Sequence, residues 1–285
     1  MRPSRAAWIV ATACLAVAPA APGQQKEAAP SSTAERSGAM AGIARAITVV
    51  EAGGKAKAGL VPEPIYRFND PTRNYSDGTV WAFGRPGRPA ALFCLSLEKN
   101  ERGELWWVHE LTSTSAGPVA ASSRHAYGAW IWNPKDPEIK FQPIREAPAP
   151  GDDEARRLRQ MREIARRFKA FESLDPARDA SSDRFELRLL PQPVHRYRDP
   201  KGGPIDGAIF LMSYGQNPEI ALLIEAGRES PATPPTWSFA LAPLSAARLR
   251  VSLDDRQVAD IPKPPDANWK QPYCLLVRRA GDLKD

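Results

Sequence analysis

The sequence predicts an α+β protein built from two tandem units related by pseudo-symmetry. Each unit is expected to hold one helix packed on an antiparallel β-meander of about five or six strands. Three observations support this prediction: an internal repeat at a fixed spacing, two stretches of helical period, and several apolar stretches of period two. An all-β sandwich of the two sheets with peripheral helices is the alternative.

The composition is that of an ordinary globular chain. Of the 285 residues, 42% are hydrophobic and 25% are charged, which excludes a collagen-like, a disordered or a disulfide-dense protein. The 29 prolines predict many turns and few long helices.

The N-terminus has the three-part pattern of a secretory signal peptide. Two arginines precede the apolar stretch 6–18, and small residues end at Ala20. We predict a signal peptide at 1–20 with cleavage after Ala20, a flexible leader at 21–33, and a secreted or periplasmic mature protein. The apolar stretch is too short to span a bilayer, and no other stretch has transmembrane length.

The charge of the chain predicts little about partners. Loss of Arg2 and Arg5 with the signal peptide lowers the formal net charge from +6 to +4. An excess of this size attracts acidic surfaces only through salt-screened, long-range forces. Since the chain also contains no nucleic-acid-binding motif, we predict no nucleic-acid partner.

The strongest pattern is an internal repeat. Residues 60–97 align without gaps on 189–226, and nine of the 38 pairs are identical, where composition alone gives roughly two or three. The identical pairs are Leu60/Leu189, Pro62/Pro191, Pro64/Pro193, Arg67/Arg196, Asp70/Asp199, Pro71/Pro200, Asp77/Asp206, Gly78/Gly207 and Pro89/Pro218. This predicts repeat unit 1 at 34–149 and repeat unit 2 at 150–285.

Each unit is predicted to begin with a helix. The first is expected at about 34–50 and the second from a cap at Asp152 or Asp153 to Asp175. The apolar stripe of the second helix consists of Leu158, Met161, Ala165 and Phe168. Its basic face, Arg156–Lys169, is either a solvated surface or a contact for an acidic surface or polymer.

After each helix the apolar period drops to two. Residues 237–242 and 248–253 alternate between large apolar and small or polar side chains, which is typical of half-buried antiparallel strands. The Asp-Pro and Asp-Gly dipeptides of both units are turn formers. Short connections of this kind favour meanders over parallel crossovers.

Three of these segments also resemble a known group of proteins. Arg157–Phe168, Leu187–Arg198 and Asp206–Phe210 resemble secreted bacterial proteins of unassigned function that contain duplicated R-[FY]-x-D-P…D-G-x-φ-[FW] units. The resemblance covers most of residues 35–280. It implies secretion and a two-unit layout, and it implies no activity, ligand or catalytic residue.

Polar residues that recur in both units are candidate ligand-binding residues. They are Arg67, Asp70 and Asp77 in the first unit and Arg196, Asp199 and Asp206 in the second. An arginine in each unit could hold a carboxylate or sulfate group in bidentate fashion. The alternative is a structural Arg–Asp pair that fixes one turn in each unit.

Tryptophan supplies a second set of candidates. If Trp106 and either Trp130 or Trp132 are exposed on one sheet face, their rings can stack on a sugar or another flat ligand. The alternative is that a helix or the other unit covers them.

The sequence indicates no metal and no cofactor. The three histidines have unrelated spacings, and no CxxC pair is present. Of the two cysteines that follow the signal peptide, Cys94 and Cys274, each is either half of a disulfide or a buried free thiol.

These observations favour a secreted, non-catalytic binding or interaction protein of unknown ligand and partner. The alternative is an extracellular hydrolase that acts on glycan or ester substrates in a cleft between the two units. No nucleophile elbow, zinc-protease motif, P-loop or dinucleotide fingerprint is present, so an enzyme is the less favoured of the two.

Overall fold

The computed structural model describes ten parts of the chain. They are residues 30–51, 56–84, 86–123, 130–136, 138–173, 184–199, 202–228, 230, 232–265 and 269–280. The predicted signal peptide and most of the predicted leader lie outside these residues.

The described residues form two helices, one 3₁₀ turn and 18 strands. The helices are α1 (Thr33–Arg45) and α2 (Glu154–Ala165), and the 3₁₀ turn is Pro71–Arg73. The strands up to α2 are β1 (Ile47–Glu51), β2 (Ala56–Ala58), β3 (Tyr66–Asp70), β4 (Tyr75–Phe83), β5 (Ala91–Lys99), β6 (Leu105–Ser113), β7 (Val119–Ser123), β8 (Trp130–Trp132) and β9 (Gln142–Pro143). Those after α2 are β10 (Phe168–Ser173), β11 (Arg184–Leu189), β12 (His195–Tyr197), β13 (Asp206–Tyr214), β14 (Asn217–Gly227), β15 (Thr236–Pro243), β16 (Arg248–Leu253), β17 (Arg256–Ile261) and β18 (Tyr273–Arg279).

The strands pair antiparallel in three sheets. The four-stranded sheet has the order β2-β1-β7-β8, and the five-stranded sheet has the order β18-β6-β5-β4-β3. The nine-stranded sheet has the order β17-β16-β10-β11-β13-β14-β15-β9, with β12 paired to β13. In the large sheet the neighbouring strands β11, β10, β16 and β17 follow the chain in the same order as β2, β1, β7 and β8 do in the small sheet.

The predicted α+β class, with one helix and one self-contained meander per unit, is wrong. Strands dominate the described chain and helices are a minor part, which places the fold closer to the all-β alternative. The sheets also do not divide at the predicted unit boundary. Strand β18, from the C-terminal half, pairs with β6, while β9, from the N-terminal half, pairs with β15.

Two sheets face each other at the centre of the molecule. The five-stranded sheet packs against β13, β14 and β15 through small and branched side chains. Examples are Val80, Ala82, Leu92, Ile209, Leu211, Leu223 and Ala240. Helix α1 and the four-stranded sheet cover the other face of the five-stranded sheet. Helix α2, together with β10, β11 and β16, covers the other face of β13–β15.

Both helices are shorter than predicted. Helix α2 ends at Ala165, and Phe168–Ser173 form β10, so Lys169 belongs to a strand and not to the predicted basic helix face. The backbone N–H of Arg167 already closes the last turn on the carbonyl oxygen of Ile164. Helix α1 likewise ends at Arg45, where β1 follows within two residues.

The P-x-P segments of the two halves are held in the same way. In each segment the residue before the first proline and the residue after the second donate a backbone hydrogen bond to the neighbouring strand. The two prolines therefore need no N–H of their own. The bonds run from Val61 N to Ala82 O, Ile65 N to Val80 O, Leu190 N to Leu211 O and Val194 N to Ile209 O, at 2.8–2.9 Å.

The two Asp-Gly pairs lie within β4 and β13 and not in turns as predicted, and an aromatic ring on the neighbouring strand covers the glycine of each pair. Phe68 lies over Gly78, and Tyr197 lies over Gly207. A Cβ atom at either glycine would overlap the ring. Glycine is therefore required at these two positions by close packing.

Cys94 and Cys274 are free thiols. Cys94 lies between the two facing sheets, whereas Cys274 lies on the opposite face of the five-stranded sheet, in the core beneath α1. Side chains on opposite faces of one sheet cannot form a disulfide.

Candidate functional site

A groove lies where the two halves of the chain meet. We call it the junction groove, and its volume is about 450 Å³. Its lining residues are Gly59, Leu60, Val61, Pro62, Gly84, Pro86, Gly87, Pro89, His195, Arg196, Tyr197 and Arg198. A volume of this size is in the range that small-molecule sites occupy.

The two walls of the groove differ in chemistry. The first half contributes glycine, proline and aliphatic residues from 59–62 and 84–89. The second half contributes β12 and Arg198, which carry the polar side chains. Among the described residues that line the groove, none is an aspartate or a glutamate. The groove thus combines one apolar wall with one cationic wall.

A buried ionic network supports the groove. Arg88 donates to both carboxylate oxygens of Glu225, at 2.6 and 2.8 Å, and the Tyr197 hydroxyl donates to Glu225 Oε1 at 2.8 Å. The Arg88 guanidinium also lies 4.2 Å from the ring centroid of Phe141. Burial, and then the Glu225 charge, raise the pKa of Tyr197 well above its usual value, so its proton stays on the hydroxyl. This network fixes the floor of the groove and joins the two halves.

Arg196 extends from β12 toward the N-terminus of α2. Its Nη2 donates to Asp206 Oδ2 at 2.7 Å and to the Glu154 carbonyl oxygen at 3.4 Å. Asp206 also accepts a hydrogen bond from Arg157 Nε at 2.9 Å. One carboxylate therefore faces two guanidinium groups, which leaves one net positive charge behind the cationic wall.

Arg198 and His195 complete this wall. Arg198 is mostly exposed and forms an ion pair with Glu154 at 2.6 Å, where solvent weakens the attraction. Burial lowers the pKa of His195 below its usual value, so the ring is neutral near pH 7. The groove therefore offers guanidinium donors and a neutral imidazole.

A second polar cluster lies between the facing sheets, outside the groove. The Tyr273 hydroxyl donates to Glu110 Oε1 at 2.5 Å, and Cys94 and Glu219 are neighbours. Burial raises the pKa of Glu110 well above its usual value, and the nearby acids raise it further. Its surroundings thus favour the protonated form of Glu110, and its cluster does not line the groove.

Both cysteine thiols are poor nucleophiles. Burial raises the pKa of Cys94 well above its usual value and raises that of Cys274 to about 12. Because the thiolate is the reactive form, neither side chain suits nucleophilic catalysis.

The structure separates the tryptophans predicted to bind a ligand. Trp130 and Trp132 are buried in the core beneath α1, where Trp130 stacks on Trp269 at 5.8 Å between ring centroids. The Trp132 Nε1 donates to the carbonyl oxygen of Gln271. Trp106 is half-buried and lies in a different sheet, on β6. These rings do not form a shared exposed surface.

The predicted polar residues of the first half occupy three different environments. Arg67 is exposed and lies 3.8 Å from the Glu63 carboxylate. Asp70 is buried and accepts from Thr72 Oγ1 at 2.5 Å and from the backbone N–H of Gln216 at 3.4 Å. Asp77 accepts from Arg36 Nε at 2.7 Å. They do not form one site.

In the second half the predicted residues lie closer to the groove. Arg196 lines it and Asp206 lies behind it. The Asp199 side chain lies beside Gly203 and within reach of Gly87. Gly87 adopts a φ of 124°, a conformation that favours glycine.

Sequence reasoning missed Arg88, Glu225 and Tyr273. Arg88 and Glu225 are 137 positions apart, and Tyr273 and Glu110 are 163 positions apart. No local pattern links residues at such separations. The one available signal was that Glu110 lies on the strand face opposite His109, which predicts different surroundings for the two.

Comparison of the chain with protein-family models, with curated proteins and with solved structures gives no match. Neither helix in the described part of the chain is both long and apolar enough to cross a bilayer. Within the same residues, no cluster of three or more His, Cys, Asp or Glu side chains could hold a metal ion.

Proposed function

We propose that this is a secreted, non-catalytic binding protein that holds a small organic anion in the junction groove. The observation that carries the proposal is the charge of the lining of this groove of about 450 Å³: its described residues include two arginines and no carboxylate. Guanidinium groups bind carboxylate and sulfate groups through paired hydrogen bonds. The apolar wall at Leu60, Val61 and Pro62 would contact the uncharged part of the same ligand.

The groove is supported as a preformed site. The bidentate Arg88–Glu225 pair and the Tyr197 hydroxyl lie directly behind it and are largely buried. A ligand would therefore meet walls that are ordered before binding, which lowers the entropic cost of association.

The alternative, an extracellular hydrolase with a cleft between the two units, has less support. A glycosidase needs two carboxyl groups that face the substrate about 5–9 Å apart. Glu110 and its acidic neighbours lie between the sheets, and among the described lining residues of the groove only His195 could act as a general base.

Secretion rests on the sequence of residues 1–20. Expression of the full chain in a secreting bacterial host, followed by N-terminal sequencing of the exported protein, tests it. A mature chain that starts at Ala21 supports the proposal. Retention of the intact chain in the cytoplasm contradicts it.

We also infer that the two halves arose by duplication of one ancestral segment. Three contacts at equivalent repeat positions support this inference: the P-x-P hydrogen bonds, the ring over the glycine of each Asp-Gly pair, and the pairs Arg36–Asp77 and Arg157–Asp206. The helix caps, Ser32 and Asp153, are also 121 positions apart, like the two paired arginines.

Isothermal titration with benzoate and phenyl sulfate tests the groove, and benzamide is the uncharged control. We expect the anions to bind and benzamide to bind at least about tenfold more weakly. Arg198→Ser should weaken anion binding because it removes an exposed groove cation. Arg102→Ser, in the turn between β5 and β6, is the matched control with the same change in charge.

Two outcomes would contradict the binding proposal. The first is equal affinity for benzamide and benzoate, or an equal loss in Arg198→Ser and Arg102→Ser. The second is turnover of chromogenic glycoside or ester substrates that His195→Ala abolishes, which would favour the hydrolase.

A further inference from the structure

The outer face of the nine-stranded sheet is rich in arginine. Phe171 of β10 pairs with Glu186 of β11 on one side and with Arg250 of β16 on the other, so these three side chains share one face. Alternation along each strand places five basic residues on that face with Phe171. This surface, the arginine face, comprises Lys169, Phe171, Arg184, Arg188, Arg248 and Arg250.

The equivalent face in the other half of the chain contains few charges. Among the described residues of the order β2-β1-β7-β8, the outward side chains are Lys57 of β2, Thr48 and Val50 of β1, Ala120 and Ser122 of β7, and Ile131 of β8, so Lys57 is the single charge on that face. Ile131 is 70% exposed. The same sheet geometry therefore exists in this protein without arginine. Solvation of a sheet face does not by itself account for the arginine face.

Among the described residues, the arginine face has more cations than acidic partners. Lys169 pairs with Asp255 at 2.7 Å, and Arg248 forms a bidentate pair with Asp260 at 2.8 and 2.7 Å. Arg250 lies 3.8 Å from the same Asp260. With Glu186 included, three acidic groups of the described chain face five cations.

The two arginines of β11 are the most available. Both are exposed. The guanidinium carbon of Arg184 lies 4.0 Å from the ring centroid of Phe171, and Arg188 Nη2 reaches the Gly215 carbonyl oxygen at 3.5 Å. Stacking on Phe171 holds the Arg184 fork in place while its edge remains open to a ligand.

We propose that the arginine face binds an acidic polysaccharide, a chain that carries sulfate or carboxylate groups at intervals. Outward residues on adjacent strands are about 5 Å apart, and successive outward residues on one strand are about 7 Å apart. Such a face presents a grid of bidentate donors to a polymer with repeated anionic groups. This surface is separate from the junction groove, and the proposal does not depend on it.

Two other anionic partners fit the face less well. Single-stranded nucleic acids bind by stacking bases on open aromatic rings, but Arg184 covers the ring of Phe171. Membrane surfaces require exposed large apolar side chains that enter the lipid. On the arginine face the only large apolar side chain among the described residues is the half-buried Phe171.

Binding of dextran sulfate, measured by surface plasmon resonance on the purified full-length mature protein, tests this proposal. Unsulfated dextran is the uncharged control and alginate is the carboxylate probe. We expect dextran sulfate or alginate, but not dextran, to bind, with log K falling linearly with log salt concentration. Arg184→Ser/Arg188→Ser should weaken binding by about tenfold or more.

The matched control is Arg156→Ser/Arg159→Ser, which removes two exposed arginines from α2, on the basic helix face that the sequence analysis interprets as either a solvated surface or a contact. This variant should keep its affinity for dextran sulfate. Thermal unfolding of each variant verifies that it is folded.

Four results would overturn the proposal. They are an absence of binding to both acidic polymers, an equal or larger loss in the α2 variant, tighter binding to poly(dT) than to the polysaccharides, and tighter binding to phosphatidylglycerol vesicles. A fifth is a loss of dextran sulfate binding that is confined to the groove variant Arg198→Ser, which would assign polymer binding to the groove instead.

Discussion

The two helix–strand ion pairs use the same residue types at different depths. In the first half, Arg36 Nε donates to Asp77, and the two side chains are 18% and 20% exposed. In the second, Arg157 Nε donates to Asp206, and these side chains are 10% and 5% exposed. The deeper carboxylate also accepts from Arg196. The difference indicates that a carboxylate that leaves water needs more than one charged donor to offset its lost hydration.

The largest effect on stability is expected when the carboxylate charge of each ion pair is removed. Asp206→Asn should lower the free energy of unfolding by about 3–5 kcal/mol because it leaves the buried Arg157 without a counter-charge. Asp77→Asn should lower it by only about 1 kcal/mol, since water still reaches that pair. Urea denaturation of both variants measures the two values. Equal losses in the two variants would show that the difference in burial does not change what each ion pair contributes to stability.

Replacement of either ring-covered glycine by alanine should destabilise the protein to a similar extent. Gly78→Ala and Gly207→Ala should each lower the free energy of unfolding by about 1–3 kcal/mol because the new methyl group overlaps the ring of Phe68 or Tyr197. In a Phe68→Leu background the added loss from Gly78→Ala should shrink, and urea denaturation of this cycle measures it. Additive losses would locate the strain in the backbone instead of the ring contact.

Two buried glutamates between the facing sheets also differ in whether a charged donor accompanies them. Glu225 has the cation Arg88, whereas the partner of Glu110 is the neutral Tyr273 hydroxyl. Because burial raises the folded-state pKa of Glu110 well above 4.5, the folded chain keeps a proton that the unfolded chain releases above about pH 4.5. This contribution to stability is complete below pH 4.5 and is lost as the pH rises toward the folded-state pKa.

Glu110→Gln should therefore unfold at nearly the wild-type free energy near pH 4 and become progressively more stable than wild type toward pH 8. The slope is at most that of one proton. Urea denaturation across this pH range measures the difference. A difference that stays constant with pH would mean that Glu110 does not hold a proton in the folded chain.

The smallest effects concern the repeat-related arginines. Arg196→Ser should lower the free energy of unfolding by about 1–2 kcal/mol because it removes one of the two donors to Asp206. Arg67→Ser should change it by less than about 0.5 kcal/mol, since its contact with Glu63 is long and exposed. Thermal unfolding distinguishes the two. A loss of similar size in both variants would indicate a shared role that these contacts do not explain.

Local structure was predictable from the sequence where a pattern or a capping residue fitted only one kind of element. The alternation at residues 248–253 matches β16, and the cap at Asp153 matches the start of α2. The end of α2 was not predictable in this way. Phe168 continues the helical stripe of Met161 and Ala165, yet it equally fits the inward face of β10.

The fold class and the groove were less predictable because they depend on distant pairings. The edge strand β9 is only two residues long, Gln142–Pro143, and has no periodic signal. The network behind the groove joins Arg88 to Glu225, from opposite halves. Among the candidate residues, Arg196 could be chosen by its repetition, but repetition alone does not separate it from the exposed Arg67.

The pairing of β18 with β6 has a consequence for biosynthesis. The ribosome makes β3–β6 early, but the last edge of their sheet is filled only by residues 273–279. Until these residues emerge, β6 presents unpaired N–H and C=O groups along nine residues. During translation the nascent chain would therefore benefit from a chaperone that shields this edge.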